Sequence, residues 1–311
     1  MKAVLPALAR PLLEPQIPAG IHVSWFATRE EAGEMIVNAD IAWVDMQRGV
    51  WTAEAVAKAT RLKWLSTIFA GIDFLDLEAL RANGTVLTNG TGINALAVAE
   101  YAVMGVLVAA KRYDEVVRLA DKHEWTLQAP GQVELFETKA LIVGMGAIGK
   151  LIAERLAAFG VDVTGVTRSG RDGTLKPDQW QAKLGAFDWV ILAAPSTDST
   201  KAMIGAAELA AMKPSAWLIN IARGDMIEEA ALLDALNGRK IAGAFLDPTY
   251  PEPLPPEHPL WSAPNCLITM HLSGRSQTKM FPRAAALFLR NLDALVNGRP
   301  MENVVDLEAG Y

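Results

Sequence analysis

The sequence predicts an α/β protein built from two doubly wound parallel-sheet domains. Short apolar segments of strand length alternate with amphipathic segments of helix length, a pattern typical of parallel sheets covered by helices. A glycine-rich turn, G-M-G-A-I-G at residues 144–149, follows one apolar segment and opens a helical one. The 311 residues exceed what one small core needs and suit two domains.

The first part of the chain predicts a sheet of short strands separated by helices. We expect strands at residues 2–5, 21–25, 41–44, 64–67 and 86–88, and helices at 29–37, 51–59 and 75–82. A long apolar helix is predicted at 95–111, continuing amphipathically toward residue 121. It contains Glu100 and is shorter than the roughly 20 residues of a membrane span, so we interpret it as a buried helix.

The second part predicts another α/β sheet. Strands are expected at 140–143, 161–166, 189–193, 217–220, 243–246 and 266–269, and helices from 148 to Gly160 and at 206–212 and 228–236. A last amphipathic helix, 281–296, ends at Asn297 and Gly298, which is a good C-cap. The proline-rich run 248–259 predicts a shaped loop.

Composition excludes several classes of function. A net charge of −6 argues against a nucleic-acid surface, and no metal site is expected. Cys266 is the only cysteine, so no intrachain disulfide can form and a cytosolic location is the simplest expectation. The N-terminal apolar run is broken by Pro6 and Arg10, which favours a first strand and loop over an export signal.

The glycine-rich turn has the strand–turn–helix context of a dinucleotide site. The first glycine permits the tight turn, the second lets backbone amides approach a pyrophosphate, and the third lets helix and strand pack closely. The helix N-terminus then offers free amides to the phosphates. The predicted contacts are Gly144, Met145, Gly146, Ala147, Ile148 and Gly149.

The residues after the second strand favour NADP(H). An NAD site usually has an acidic residue there, but Thr167 occupies the position and is followed by Arg168, Ser169 and Arg171. Guanidinium groups and a hydroxyl suit a 2′-phosphate, which a carboxylate would repel. The alternative is that both arginines are solvated loop charges, and NAD(H) then remains possible.

Three functional side chains follow three predicted strands of the second sheet. Arg223, Glu252 and His271 each have an ordinary structural interpretation when considered alone. Together, downstream of a dinucleotide turn, they suit reduction of a carbonyl. Histidine can supply the proton that the alkoxide needs, a carboxylate beside it stabilises the charged imidazole, and arginine can polarise the carbonyl and orient a substrate carboxylate.

The order of motifs resembles the D-isomer-specific 2-hydroxyacid dehydrogenases over nearly the whole chain. The motifs are F-A-G-I-D, A-V-A-E-Y-A, G-M-G-A-I-G, A-A-P-S-T-D-S-T, N-I-A-R-G, L-D-P-T-Y-P-E-P-L-P and T-M-H-L-S-G. The stretch H-P-L-W-S-A-P-N, the R-S after the second strand and the terminal A-G-Y are most similar to the glyoxylate/hydroxypyruvate reductase A branch.

This resemblance implies roles for individual residues. Arg223 would bind substrate, His271 would be the acid/base and Glu252 its partner. The backbone of Ala70, Gly71 and Ile72 would hold the substrate carboxylate. The cofactor cleft would further include Pro195, Thr200, Ile221 and Asp247, the last on the nicotinamide side.

The resemblance also implies the domain arrangement. Residues 1–94 and 275–311 would form a flavodoxin-like substrate-binding domain, and residues 95–274 an inserted Rossmann domain, with a cleft between them that closes on substrate. A homodimer through the helix near 95–121 is also implied.

Two departures leave the substrate open. Met270 replaces the usual proline before the histidine, and Pro248 replaces a small aliphatic residue after Asp247. Trp43 and Arg48 follow the third strand, and one interpretation is that both reach the substrate. The alternative is that Trp43 lies in the core and Arg48 in solvent.

The leading hypothesis is NADPH-dependent reduction of small 2-keto acids, such as glyoxylate or hydroxypyruvate, to D-2-hydroxy acids. One alternative is a related dehydrogenase for a larger 2-keto acid, because an apolar pocket discriminates weakly between related substrates. Another is a nucleotide-sensing binding protein that retains the site. Formate oxidation is disfavoured, because it needs no proton donor and the Glu252–His271 pair is intact.

Overall fold

The structure is a computed structural model that describes residues 1–46 and 48–308. The terminal A-G-Y at 309–311, which carries part of the family resemblance, lies outside the described residues. The chain divides into two compact units. Unit 1 comprises Met1–Asn94 and the chain from Gln277 onward, and unit 2 comprises Ala95–Ser276.

Unit 1 is a parallel sheet with the strand order β2-β1-β3-β4-β5. Its strands are β1 (Lys2–Pro6), β2 (His22–Phe26), β3 (Ile41–Ala42), β4 (Trp64–Ser66) and β5 (Val86–Thr88). Its first helices are α1 (Arg10–Leu13), α2 (Arg29–Met35), α3 (Gly49–Val56) and α4 (Leu77–Ala82). Reversal of the order on either side of β1 is the flavodoxin-like arrangement.

Local sequence explains where the helices of unit 1 begin. Thr28 and Glu31 form a capping box at the start of α2, which satisfies backbone donors at both positions. Asp76 accepts the amide of Ala79 at the start of α4, so this helix begins after the predicted residue 75. α3 ends at Val56, before the predicted residue 59.

Unit 2 is a parallel sheet with the order β11-β10-β9-β8-β6-β7. The strands are β6 (Lys139–Val143), β7 (Asp162–Val166), β8 (Trp189–Leu192), β9 (Trp217–Asn220), β10 (Gly243–Leu246) and β11 (Cys266–Ile268). The helices are α5 (Ala95–Lys111), α6 (Tyr113–Asp121), α7 (Ala147–Ala158), α8 (Ala206–Ala211) and α9 (Glu229–Asn237). The strand order reverses between β6 and β8, where open α/β sheets bind ligands.

The chain returns to unit 1 with α10 (Met280–Val296). Phe288 on this helix packs in the core against Trp43 and stacks on Trp64, with ring centroids 4.8 Å apart in the stacked pair. The prediction of two parallel-sheet α/β domains is confirmed. Within the described residues, no helix combines the length and apolar character needed to cross a membrane.

Two predictions about elements were wrong. The long helix does not continue to residue 121, because Arg112 has a left-handed backbone (φ 47°) that ends α5 and starts α6. The Arg112 guanidinium bonds to Asn265 and forms ion pairs with Asp114 and Glu115, which holds this break. The loop expected after β1 contains the short helix α1, with Pro11 in its first turn.

Candidate active site

The glycine turn between β6 and α7 is shaped to receive a phosphate group. Gly144 has φ +104°, and Gly149 lies so close to the carbonyl of Gly144 that any Cβ there would collide with it. A Cβ on Gly146 would meet open space, and none of the side chains in the described part of the chain caps α7. The first amides of a 12-residue helix therefore face a space that a pyrophosphate can fill, so these residues fit a dinucleotide.

The segment after β7 forms a small hydrogen-bonded loop that presents cations. Thr167 accepts the amide of Gly170, and its hydroxyl lies 2.7 Å from that of Thr174. Val166 and Leu175 form a parallel bridge at the edge of the sheet. Arg168 and Arg171 are both exposed on this loop, with Ser169 between them in the sequence.

His271 and Glu252 are brought together at the carboxyl end of the sheet. Nδ1 of His271 lies 2.9 Å from Oε2 of Glu252, and both side chains are partly exposed. The other carboxylate oxygen of Glu252 accepts the amide of Thr249 at 3.1 Å. With Nδ1 engaged, Nε2 is the imidazole nitrogen left to meet a substrate.

The surroundings keep Glu252 ionised. Partial burial opposes its charge, but the hydrogen bond and charge of His271, the amide of Thr249 and the charge of Arg223 together lower its pKa below the ordinary value. Glu252 is therefore a carboxylate at neutral pH. A carboxylate in this position fixes the tautomer and the orientation of the His271 ring through its contact with Nδ1.

Arg223 is placed by the end of β9. Asn220, the last residue of that strand, donates from Nδ2 to the Arg223 carbonyl and accepts the Ala222 amide through Oδ1. Gly224 follows so closely against the backbone of Thr249 that a side chain there would collide. The half-buried Arg223 therefore extends from a fixed backbone near Glu252.

A buried aspartate fixes the segment that carries His271. Asp247, directly after β10, accepts the Thr269 hydroxyl at 2.7 Å and the Leu272 and Ser273 amides at 3.0 and 3.2 Å on the same oxygen. The Asp247 carbonyl accepts the His271 amide at 2.7 Å. Asp247 is 1% exposed. It was expected to contact the nicotinamide side, and the bonds it makes here position the histidine segment.

This segment has an unusual backbone. Met270 and His271 have φ of 55° and 56°, a left-handed region that residues other than glycine adopt at an energetic cost. Met270, in place of the expected proline, is 61% exposed. Since the Asp247 bonds lie on both sides of these two residues, they stabilise the strained turn that presents His271.

The remaining predicted cofactor contacts are ordered around the switch point. Thr200 donates to the Pro195 carbonyl and accepts the Thr197 amide, which closes a compact turn after β8. Ile221 is buried at the end of β9, and Met145 packs over Gly165 of β7. These positions border the glycine turn along the carboxyl ends of β6, β8 and β9.

In unit 1, the loop at residues 69–73 follows β4. The Asn89 side chain donates to the Ala70 carbonyl at 3.1 Å, and the Gly90 amide donates to the Phe69 carbonyl at 2.9 Å. Among the described residues, nothing accepts the amides of Ala70, Gly71 and Ile72. Adjacent free amides are suited to binding an anion such as a carboxylate.

For Trp43 and Arg48, which follow β3, the sequence left either substrate contact or an ordinary structural role. Trp43 is 1% exposed and lies in the core, which supports its structural interpretation. Arg48 is exposed and its guanidinium carbon lies 5.4 Å from the centre of the Trp51 ring.

Two polar residues that hold other site residues in place, Asn220 and Asp45, were not predicted from the sequence. Asn220 is the last residue of β9, three residues before Arg223, whereas Asp45 lies three residues beyond the end of β3. A polar residue at or just beyond the end of an apolar strand is the signal that could have drawn attention to both, because such groups need hydrogen-bond partners.

Together, the fold and site define an NAD(P)-binding α/β oxidoreductase. A glycine turn at the switch point, an arginine and a glutamate–histidine pair share one sheet edge. The model of the D-isomer-specific 2-hydroxyacid dehydrogenase NAD-binding domain matches residues 103–273. The chain belongs to the D-isomer-specific 2-hydroxyacid dehydrogenase family, as its motifs predict, and it acts on the CH–OH group with NAD(P).

Relatives within the family differ in substrate. Glyoxylate/hydroxypyruvate reductase A of Serratia proteamaculans is 35% identical over 272 residues, which cover 83% of this chain and 84% of that protein. D-3-phosphoglycerate dehydrogenase of Methanocaldococcus jannaschii is 29% identical over 293 residues, 92% of this chain, and the chain spans 55% of that protein's length.

A solved structure shows the same fold with a bound cofactor. The NADPH-dependent glyoxylate/hydroxypyruvate reductase of Sinorhizobium meliloti, in complex with NADP and sulfate, is 25% identical and has a TM-score of 0.82. The match covers 100% of this chain and 99% of that chain.

Proposed function

We propose that the protein reduces small 2-keto acids, such as glyoxylate and hydroxypyruvate, to D-2-hydroxy acids with NADPH. The observation that carries the proposal is the His271–Glu252 pair, 2.9 Å apart, beside Arg223 on the sheet edge that holds the glycine turn. The similarity to glyoxylate/hydroxypyruvate reductase A supports the substrate class.

In the proposed mechanism, Arg223 binds the substrate carbonyl oxygen and carboxylate. Its planar guanidinium can hold both, which polarises the carbonyl and orients it. The amides of Ala70, Gly71 and Ile72 would take the remaining carboxylate oxygen. NADPH, when bound, supplies the hydride.

His271 then donates its proton from Nε2 to the carbonyl oxygen as that oxygen becomes an alkoxide. Glu252, held as a carboxylate, stabilises the imidazolium before the transfer and keeps Nε2 directed outward. Arg223 supplies positive charge where negative charge develops. The proposed reaction therefore uses a hydride from the cofactor and a proton from His271, while Arg223 holds the substrate.

The cofactor would be held by the glycine turn and the loop after β7. The first amides of α7 would bind the pyrophosphate, while Arg168, Ser169 and Arg171 would bind the 2′-phosphate. Pro195, Thr200 and Ile221 would line the cofactor site.

The NADPH preference is tested by Arg168→Ala. We expect the ratio of kcat/KM with NADPH to kcat/KM with NADH to fall about tenfold or more, because a guanidinium–phosphate contact is lost. Lys183→Ala removes another exposed cation of unit 2 and should leave the ratio unchanged. An unchanged ratio in the Arg168 variant would remove that residue from the 2′-phosphate site.

We also propose a homodimer through α5 and α6, in a cytosolic location. Exposed apolar side chains, Tyr113, Val116 and Val117, lie on α6, and Met104 and Phe159 border a groove along α5 and α7. Light scattering of the purified chain should give twice the 33.5 kDa of one chain. Val117→Glu should shift the mass toward one chain.

The substrate proposal is tested by NADPH oxidation with a panel of 2-keto acids. Glyoxylate and hydroxypyruvate should give the highest kcat/KM, and larger 2-keto acids lower values. Preference for a larger acid would favour the alternative dehydrogenase, with Met270 and Pro248 as the residues to examine. Cofactor binding without turnover on any acid would favour the nucleotide-sensing alternative.

A further inference from the structure

Asp45 occupies a place in unit 1 that the proposed reaction does not use directly. It lies beyond β3, at the carboxyl end of the sheet, and its carboxylate accepts three hydrogen bonds. Oδ1 accepts the Thr67 hydroxyl at 2.6 Å, and Oδ2 accepts the Ile68 amide at 2.6 Å and Nε1 of Trp43 at 2.9 Å. Two of these three donors belong to the residues that lead from β4 into the loop at 69–73.

The bonds continue into that loop. The Thr67 oxygen that donates to Asp45 also accepts the Phe69 amide at 3.2 Å. Asn89 and Gly90 hold the carbonyls of Ala70 and Phe69 from the other side. Asp45 thus anchors the start of the loop, and Asn89 and Gly90, which follow β5, hold the next carbonyls. These bonds do not engage the amides of Ala70, Gly71 and Ile72.

Keeping a carboxylate in this position is unfavourable by itself. Its three hydrogen-bond donors are neutral groups, and desolvation outweighs them, so burial raises the pKa of Asp45 to about 6. An isolated structural hydrogen-bond acceptor could be served by a neutral side chain at lower cost. The contacts of Asp45 therefore depend on where its side-chain atoms lie more than on its charge, which an asparagine variant can test.

We propose that Asp45 is a positioning residue for substrate binding, which holds the amides of Ala70, Gly71 and Ile72 in place through Thr67 and Ile68. The inference rests on the proposed function, because it assigns these amides to the substrate carboxylate. A group that only orders a binding loop contributes equally to substrate and transition state. Its loss therefore raises KM and leaves kcat nearly unchanged.

Two substitutions separate geometry from charge. Asp45→Ala removes all three acceptor interactions. In Asp45→Asn, the amide oxygen can take the place of Oδ2 and accept the N–H groups of Ile68 and Trp43. The amide nitrogen then takes the place of Oδ1 and donates to the Thr67 hydroxyl, which can rotate to accept this bond. The alanine variant should raise KM for glyoxylate about tenfold with kcat within about threefold, and the asparagine variant should restore most of the loss.

Asp40 provides the matched control. It is a 3%-exposed carboxylate at the other end of β3, where it accepts the amide of Lys2 and pairs with Arg61. Asp40→Ala should lower stability without changing KM. Equal KM changes in the Asp40 and Asp45 alanine variants, or a fall in kcat alone, would overturn the positioning role.

A second measurement does not depend on turnover. Hydrogen exchange of the peptide that contains Ile68 and Phe69 should be about tenfold faster in Asp45→Ala than in the wild type, and unchanged in Asp40→Ala. Should the wild type reduce no 2-keto acid, the proposed function fails, and exchange alone decides whether Asp45 holds the loop. Unchanged exchange in Asp45→Ala would refute the inference whatever the activity.

Discussion

At the carboxyl end of each of the two sheets, a buried or partly buried aspartate accepts a hydrogen bond from a threonine that follows the neighbouring strand. In unit 2, Asp247 follows β10 and accepts the hydroxyl of Thr269, the residue directly after the neighbouring β11. In unit 1, Asp45 lies beyond β3 and accepts the hydroxyl of Thr67, the residue directly after the neighbouring β4. Each aspartate also accepts backbone amides of the segment that follows its threonine.

The difference lies in what the held segment presents. Asp247 holds a strained turn that presents the His271 side chain, whereas Asp45 holds a loop with free backbone amides. A side chain that transfers a proton must be correctly positioned in the transition state, whereas amides that bind a substrate carboxylate act in both the ground state and the transition state. The same local chemistry should therefore affect kcat in unit 2 and KM in unit 1.

The amino ends of the sheets provide the contrast. Asp40 precedes β3 and accepts the first amide of β1, and Asp188 precedes β8 and accepts the first amide of β6. Each is paired with a cation, Arg61 and Lys213 respectively. The hydrogen bond from Lys2 and the charge of Arg61 lower the pKa of Asp40, despite its burial. Carboxylates at these ends stabilise the sheet and lie away from the proposed chemistry.

The largest expected effect is the loss of the proton donor. His271→Ala should lower kcat for glyoxylate reduction about a hundred- to ten-thousandfold, the usual contribution of a general acid. His258→Ala is the matched control, because His258 also pairs with a glutamate, Glu229, at 3.2 Å in unit 2. Stopped-flow measurement of NADPH absorbance gives both rates. A similar kcat in the two variants would remove His271 from the proposed mechanism.

How much of this arrangement the sequence could predict depends on the kind of residue. Arg223 and His271 each follow a strand with a recognisable apolar pattern, so their placement at one sheet edge followed from the topology of parallel strands. The 2.9 Å contact between Glu252 and His271 was expected only from the resemblance, because the proline-rich loop has no periodicity to predict its path.

The aspartates that hold the segments could not be predicted in the same way. Asp45 and Asp247 act through hydrogen bonds to residues about 22 to 26 positions away, and sequence spacing carries no information about such pairs. The left-handed backbone at Arg112 was missed for a related reason. The helical pattern continues through it, and the contact with Asn265 is distant in the sequence.

An intermediate effect is expected from Asp247→Ala. The buried amides of Leu272 and Ser273 lose their acceptor, which should lower the free energy of unfolding by about 3 kcal/mol. The turn that presents His271 loosens, so kcat should fall about tenfold or more while KM changes less. Urea unfolding and steady-state kinetics measure the two quantities.

Asp188→Ala is the control for that variant, because it removes a carboxylate from the opposite end of the same sheet. It should lower stability while kcat stays near the wild-type value. If Asp247→Ala acts on KM and Asp45→Ala on kcat, the comparison between the two sheet ends is reversed, and the roles proposed for the two segments would have to be exchanged.

The smallest effect concerns the charge of Asp45. In the folded protein this carboxyl keeps its proton up to about pH 6, whereas the unfolded chain releases it near the ordinary value of 3.8. The folded state therefore binds more protons than the unfolded state in this window, and stability falls as pH rises through it. The Asp45→Asn variant has no charge to desolvate at this position, so its stability should not fall with pH for this reason.

The free energy of unfolding of the wild type, relative to Asp45→Asn, should therefore fall by about 1 kcal/mol between about pH 5 and about pH 7.5. Urea unfolding followed by tryptophan fluorescence measures it, with Trp43 bonded to the carboxylate as a local reporter. Asp40→Asn should show the opposite sign at lower pH, because the lowered pKa of Asp40 adds stability that is lost as pH falls. A pH-independent difference between wild type and Asp45→Asn would mean that Asp45 does not titrate in this window. The hydrogen bonds of Asp45 would then be unaffected by its ionisation between these pH values.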